Sequence, residues 1–243
     1  MVDELSVGLA DLGQDVYVIS PYYEKNKKGV TGYLAQDGFR YIENIEVQAD
    51  ERYTLGVHEG VVNGVKLVFL HNAEIFPKPY PELQAYEQVR VLTVFGKACL
   101  EYACKRQMIP SVCITNDWFT GFIPAYAKTG HFGQTFRGTS FLHICHNLQE
   151  SYEGRIYPEH RDGILEHIHG LPRDCLVDPN WQLMLNPSRC AIMMSDQWAT
   201  VSKSYRDDLL NSSPLAPLLR RVQRPFAFPN GVPIEARLKK LDD

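Results

Sequence analysis

Apolar residues recur at Leu5, Leu9 and Leu12 in DELSVGLADL, with Val7 and Ala10 between them, a helical period that Gly13 can close. The next segment, DVYVIS (15–20), is short, β-branched and aromatic, and Pro21 ends it, which predicts a strand followed by a loop. Between residues 40 and 70, YIENIEVQ, YTLGVHEG and VVNGVKLVFL alternate apolar with polar positions, and Asn63-Gly64 marks a tight hairpin turn. After the proline-rich IFPKPYPE, a long helical pattern occupies residues 82–107 through Leu83, Tyr86, Val89, Leu92, Phe95 and Leu100. SVCITN (111–116) and SFLHIC (140–145) are continuous apolar runs of buried-strand type, and TGFIPAYAKTG between them continues as a helix. Beyond an irregular connection (146–171), residues 186–198 are helical, WATVS (198–202) is a strand and SYRDDLL opens another helix.

Strands alternating with helices of this length predict an α/β fold: a mostly parallel, Rossmann-like sheet with helices on both faces and an inserted antiparallel hairpin region. In such sheets ligands bind beyond the carboxyl ends of the strands, which directs attention to the residues that follow each one. The last fifteen residues, PNGVPIEARLKKLDD (229–243), are charged and proline-bearing and suit a linker leaving the domain. No internal repeat or low-complexity tract occurs.

Composition narrows the class. With 44% apolar and 22% charged residues, 243 residues suffice for one large domain with a substantial core. The net charge of −4 is spread without blocks of one sign, which argues against nucleic-acid and membrane-surface partners. No run is long enough to span a bilayer and the N-terminus lacks the regions of a secretory signal, so a cytoplasmic location is expected. The six cysteines contain no C-x-x-C pair and read as reduced, partly buried thiols. HIHG (167–170) has too few ligands at zinc spacing, and no metal is expected.

Two places satisfy the strand-end rule. Asn116-Asp117-Trp118 follows SVCIT, and His146-Asn147 follows SFLHIC. On neighbouring parallel strands they would bring an acid, an imidazole, an amide and an indole to one cleft edge, a suitable lining for a sugar. Spacing alone leaves plainer readings open: Asp117 as a helix N-cap, His146 as a satisfied core histidine, Trp118 as core. His71-Asn72 repeats the pair after a hairpin strand and reads as a loop-shaping element. No G-x-S-x-G, P-loop or complete G-x-G-x-x-G occurs, which removes the commonest hydrolase, NTPase and dinucleotide readings.

Several segments in order resemble the N-terminal catalytic domain of the bacterial and plant-type glycogen and starch synthases, glycosyltransferase family five. LADLGQDVYVISPYY is similar to the family's opening helix and strand, and VKLVFLHNAEIF to its strand leading into Asp-Asn-Pro-Glu-Leu-Phe. The family's His-Asp-Trp motif resembles Asn116-Asp117-Trp118, and its Ile-His-Asn-Leu motif Cys145-His146-Asn147-Leu148. TVSKSY is similar to Thr-Val-Ser-Pro-Thr-Tyr, and Asn230-Gly231-Val232-Pro233 to the closing Asn-Gly-Ile-Asp.

The resemblance implies a GT-B enzyme with its active site between two lobes. It implies retaining transfer of glucose from ADP-glucose or UDP-glucose, as substrate, to the 4-hydroxyl of an α-1,4-glucan, with no cofactor. Carried over, His146 and Asp117 take the catalytic positions, and Trp118, Asn147, Tyr80, Asn230 and Gly231 line the sugar site.

The same resemblance makes residues 1–228 the N-terminal domain without its first strand and its Lys-x-Gly-Gly-Leu donor loop, and 229–243 the start of an interdomain linker. The donor-binding C-terminal domain would be a missing partner, the piece inactive alone, and a plastid location possible. Asn116 replaces the family's histidine, and HNLQESYEG is about two residues longer than the family's loop. A non-catalytic glucan-binding or regulatory module, or another GT-B transferase of the sucrose-synthase type, fits the same fold.

Overall fold

The computed structural model describes residues 2–24, 34, 38–79, 81–149, 152–178, 181–222 and 225–229. Helix α1 (Val2–Asp11) leads into strand β1 (Tyr17–Pro21), followed by β2 (Arg40–Gln48), β3 (Arg52–Val62) and β4 (Val65–His71). Asn63 and Gly64 close the β3–β4 hairpin with φ of 50° and 77°, the left-handed pair that a two-residue turn of this twist requires. The four strands form one sheet in the order β1-β4-β3-β2, with β1 parallel to β4 and the other pairings antiparallel.

Helix α2 (Ala85–Lys105) begins where Glu87 accepts the Gln84 N–H at 2.8 Å. It is apolar on most of its circumference because it is covered on several sides: Val89, Leu92, Val94, Phe95, Ala98 and Tyr102 are all buried. Then follow β5 (Val112–Asn116), α3 (Ile123–Lys128) and β6 (Ser140–Cys145). After β6 come the short helices α4 (Glu166–His169) and α5 (Arg173–Leu176), then the small hairpin β7 (Val177–Asp178) and β8 (Trp181–Leu185). Helix α6 (Pro187–Met194), β9 (Gln197–Thr200), α7 (Lys203–Ser212), α8 (Ala216–Leu219) and β10 (Phe226–Ala227) complete the described chain.

The second four-stranded sheet, β10-β9-β6-β5, is parallel throughout. One hydrophobic cluster joins the two sheets through α2: Ile45, Leu55 and Leu70 belong to it, as do Phe95, Phe122, Tyr126 and Phe141. A smaller cluster of Trp198, Leu209, Leu215 and Leu219 seats α7 and α8 on the parallel sheet. Gly121 allows α6 to enter closely, because a Cβ there would lie 2.4 Å from the Pro187 carbonyl oxygen. Among the described residues no helix is long and apolar enough to cross a membrane. All six cysteines are free thiols.

Candidate active site

β5 and β6 are register neighbours, with Thr115 opposite His143 and Asn116 opposite Ile144, so their carboxyl ends leave the sheet side by side. The chain turns sharply after β5. The Thr120 hydroxyl accepts the Asn116 N–H at 2.7 Å and donates to the Asn116 carbonyl at 2.9 Å, folding the next residues back on the strand. Asp117 at the corner has φ 52° and ψ −176°, a region that costs a residue with a Cβ on the order of 1–3 kcal/mol.

That strain aims the carboxylate across the strand ends. Asp117 Oδ1 accepts the His146 N–H at 2.8 Å and, at 3.4 Å, the Asn147 N–H. It does not cap the short 3₁₀ turn Trp118–Thr120 that follows it. The His146 imidazole donates from Nε2 to the Asn116 side-chain oxygen at 2.9 Å, so the last residue of β5 holds the ring. Among the described residues, Asp117 Oδ2 and His146 Nδ1 make no hydrogen bond. Asn116, Asp117, Trp118, His146 and Asn147 are all half-buried, which suits a rim and not a core.

The neighbours fix the rest of the rim. Asn147 turns its oxygen to the Gln149 N–H at 3.0 Å, and the Tyr205 hydroxyl of α7 accepts the Leu148 N–H. Trp118 packs against the main core, and Gly154 lies directly on its indole: with φ 69°, a Cβ there would sit 2.3 Å from the Trp118 ring. The loop carrying Gly154 is anchored beneath by a buried ionic cluster. Arg155 meets Glu153 at 2.8 Å and Asp178 at 3.5 Å, and the Asn186 amide donates to both carboxylates at 3.0 Å.

Four predicted residues, Asp117, Trp118, His146 and Asn147, therefore meet on one rim. Tyr80, Asn230 and Gly231 lie outside the described residues. The role of Asn116 was not legible from spacing, and Tyr205, Gly154 and the ionic cluster were missed; only Gly154, a glycine in a polar loop, carried a local signal. Asn72 shapes its loop as expected, accepting the Glu74 and Ile75 N–H groups at 3.0 Å and donating to the Thr54 carbonyl at 2.9 Å. His169 of HIHG is a core residue: Nε2 donates to the Ile164 carbonyl at 2.7 Å and Nδ1 accepts the Leu171 N–H at 2.8 Å, leaving no lone pair for a metal. A shallow apolar cleft of about 410 Å³ near the amino ends of β5 and β6, lined by Val112, Leu142, Phe226 and Phe228 among others, holds none of the predicted residues.

A parallel sheet whose polar residues gather just past adjacent strand ends is the layout of ligand-binding α/β proteins. The chain belongs to the starch synthase catalytic domain family, whose model matches residues 1–221. It is 27% identical over 212 residues to the glycogen synthase of Streptococcus sanguinis (strain SK36), covering 86% of this chain and 42% of that protein. With the glycogen synthase of Clostridioides difficile (strain 630) it shares 27% identity over 207 residues, 82% of this chain and 41% of the relative. The catalytic domain of starch synthase IV from Arabidopsis thaliana, bound to ADP and acarbose, superposes with a TM-score of 0.79 at 21% identity, covering 97% of this chain and 48% of that one. The fold is thus a GT-B one, and the chain spans less than half the length of the relatives it matches.

Proposed function

We propose that this chain supplies one lobe of a retaining glucosyltransferase that moves glucose from ADP-glucose or UDP-glucose to the 4-hydroxyl end of an α-1,4-glucan. The observation that carries the reading is the meeting of Asp117 and His146 on adjacent parallel strand ends, within a chain of the starch synthase family. Glycosyl transfer passes through an oxocarbenium-like state, so pre-oriented hydrogen-bonding groups beside the ring do more than a strong base. Asp117 Oδ2 and His146 Nδ1 are the atoms placed to meet sugar hydroxyls, since the other polar atom of each side chain is already committed. Asn147, Trp118, Tyr80, Asn230 and Gly231 complete the sugar lining in this reading.

Residues 1–228 form the lobe and 229–243 lead toward a second, donor-binding lobe that the reaction requires. The need for a second lobe is supported by this chain's matching only 42% of the streptococcal enzyme's length. In this reading, donor binding calls on that second lobe and on a glycine-rich loop whose backbone amides would meet the donor phosphates. The α-glucan is the macromolecular partner, no metal takes part, and the reaction runs in the cytoplasm or a plastid.

The test is glucosyl transfer by the complete protein from radiolabelled ADP-glucose and UDP-glucose to maltoheptaose, beside His146→Ala. Turnover that falls about 10²-fold or more in the variant is the expected result, the size that loss of one transition-state contact produces. Glucan binding without turnover would turn the reading into a non-catalytic module, and full activity in the variant would remove His146 from the site.

A further inference from the structure

Beneath the rim, the buried face of the parallel sheet carries a polar pair that the reaction scheme above does not use. Thr115 of β5 and His143 of β6 stand opposite one another in register, and Trp198 of β9 continues the same row. Both are fully enclosed, at 1% and 0% exposure, and Thr115 Oγ1 lies 2.9 Å from His143 Nδ1. The other positions on this face of β6 are Phe141 and Cys145, so the imidazole is set among apolar and thiol side chains. Its second nitrogen, Nε2, is buried without a partner among the described residues. An aliphatic side chain would fill this position without that desolvation cost, so the histidine's contribution lies in the bond it makes to Thr115.

We infer that Thr115 and His143 are a positioning pair that fixes the carboxyl ends of β5 and β6 so that Asp117 and His146 stay in reach of one another. The inference rests on the functional reading above. Thr115 lies two residues before Asp117, and His143 three before His146, so the pair is the last enclosed side-chain bridge between the two strands before both chains turn into the rim. The ladder that joins them is only five residue pairs long, and β5 ends on the strained Asp117 corner. A cross-strand side-chain bond at that point limits the splay of the two ends, and small misplacements at a reacting centre are costly. Burial also holds His143 neutral, with its pKa lowered to about 3, so the bridge does not change with pH in the working range.

The experiment compares Thr115→Val, His143→Leu, the double variant and His143→Asn in the complete protein. Thr115→Val keeps the shape and removes the hydroxyl; the asparagine amide places a polar atom where Nδ1 stood. Two readouts are taken: steady-state kcat and KM with donor and maltoheptaose, and hydrogen exchange of the peptide spanning residues 144–149, which carries the His146 N–H.

Expected are a kcat loss of about tenfold or more with KM within about twofold, no further loss in the double variant, faster exchange at 144–149, and substantial recovery in His143→Asn. Unchanged exchange and kcat in Thr115→Val, or a lowered Tm alone, would overturn the inference. An inactive wild-type protein would count against the functional reading, while exchange in Thr115→Val would still decide whether the pair holds the rim.

Discussion

The carboxylate of Asp117 accepts the backbone N–H of His146 at 2.8 Å, so the residue leaving β5 fixes the backbone from which the residue leaving β6 projects its ring. Asparagine at position 117 keeps an oxygen for that N–H and tolerates a positive φ, whereas alanine does neither. Asp117→Asn is expected to melt close to the wild type, and Asp117→Ala to lose about 2 kcal/mol, read by urea unfolding. If the proposed function holds, both variants are expected to lose glucosyl transfer in the complete protein, because each removes the carboxylate charge that the proposal sets against the sugar. Wild-type turnover in Asp117→Asn would show that the carboxylate serves the rim alone.

Gly154 admits no side chain where it covers Trp118. A Cβ placed 2.3 Å from the indole, on a backbone with φ 69°, must push either the ring or the loop away. Gly154→Ala should therefore destabilise by about 2–3 kcal/mol and shift the tryptophan fluorescence spectrum, since the Trp118 environment opens. An unshifted spectrum with wild-type stability would mean that the loop does not rest on the ring.

What could be read in advance was local. The Asn63-Gly64 turn, the strands SVCITN and SFLHIC and the helix at 82–107 follow from patterns a few residues long, and the meeting of Asp117 with His146 follows from one rule about parallel strand ends. What escaped is made of partners distant in sequence. Nothing near Arg155 announces that Asp178 and Asn186 will enclose it, and nothing in DVYVIS announces that it pairs with β4 across some forty intervening residues. Asp117 was ambiguous because a cap and a rim carboxylate share the same position relative to the following helix; only its φ and the direction of its oxygen separate them.

Arg155 sits between the buried carboxylates of Glu153 and Asp178 with its side chain 4% exposed. Removing its charge strands two acids away from water, which costs more than any gain in apolar packing returns. Arg155→Met is expected to lose about 3–5 kcal/mol in urea unfolding, and to loosen Gly154 and Trp118 above it. A variant as stable as the wild type would show that the carboxylates take up protons with little penalty.

His143 and His169 are enclosed as neutral rings, and burial lowers their pKa values from 6.5 to about 3 and about 4. At these two rings the unfolded chain therefore binds more protons than the folded one between the lowered folded values and about 6.5, so their contribution to stability falls as the pH drops through that window. Each histidine contributes at most about 1.4 kcal/mol per pH unit, down to pH about 4 for His169 and about 3 for His143. Urea unfolding between pH 7.5 and 4 should show this slope, and His143→Asn, which does not titrate, should flatten it by up to one proton. If the slope of His143→Asn equals that of the wild type, the ring at position 143 takes up its proton in the fold at the same pH as in the unfolded chain, and the enclosure described for it is wrong.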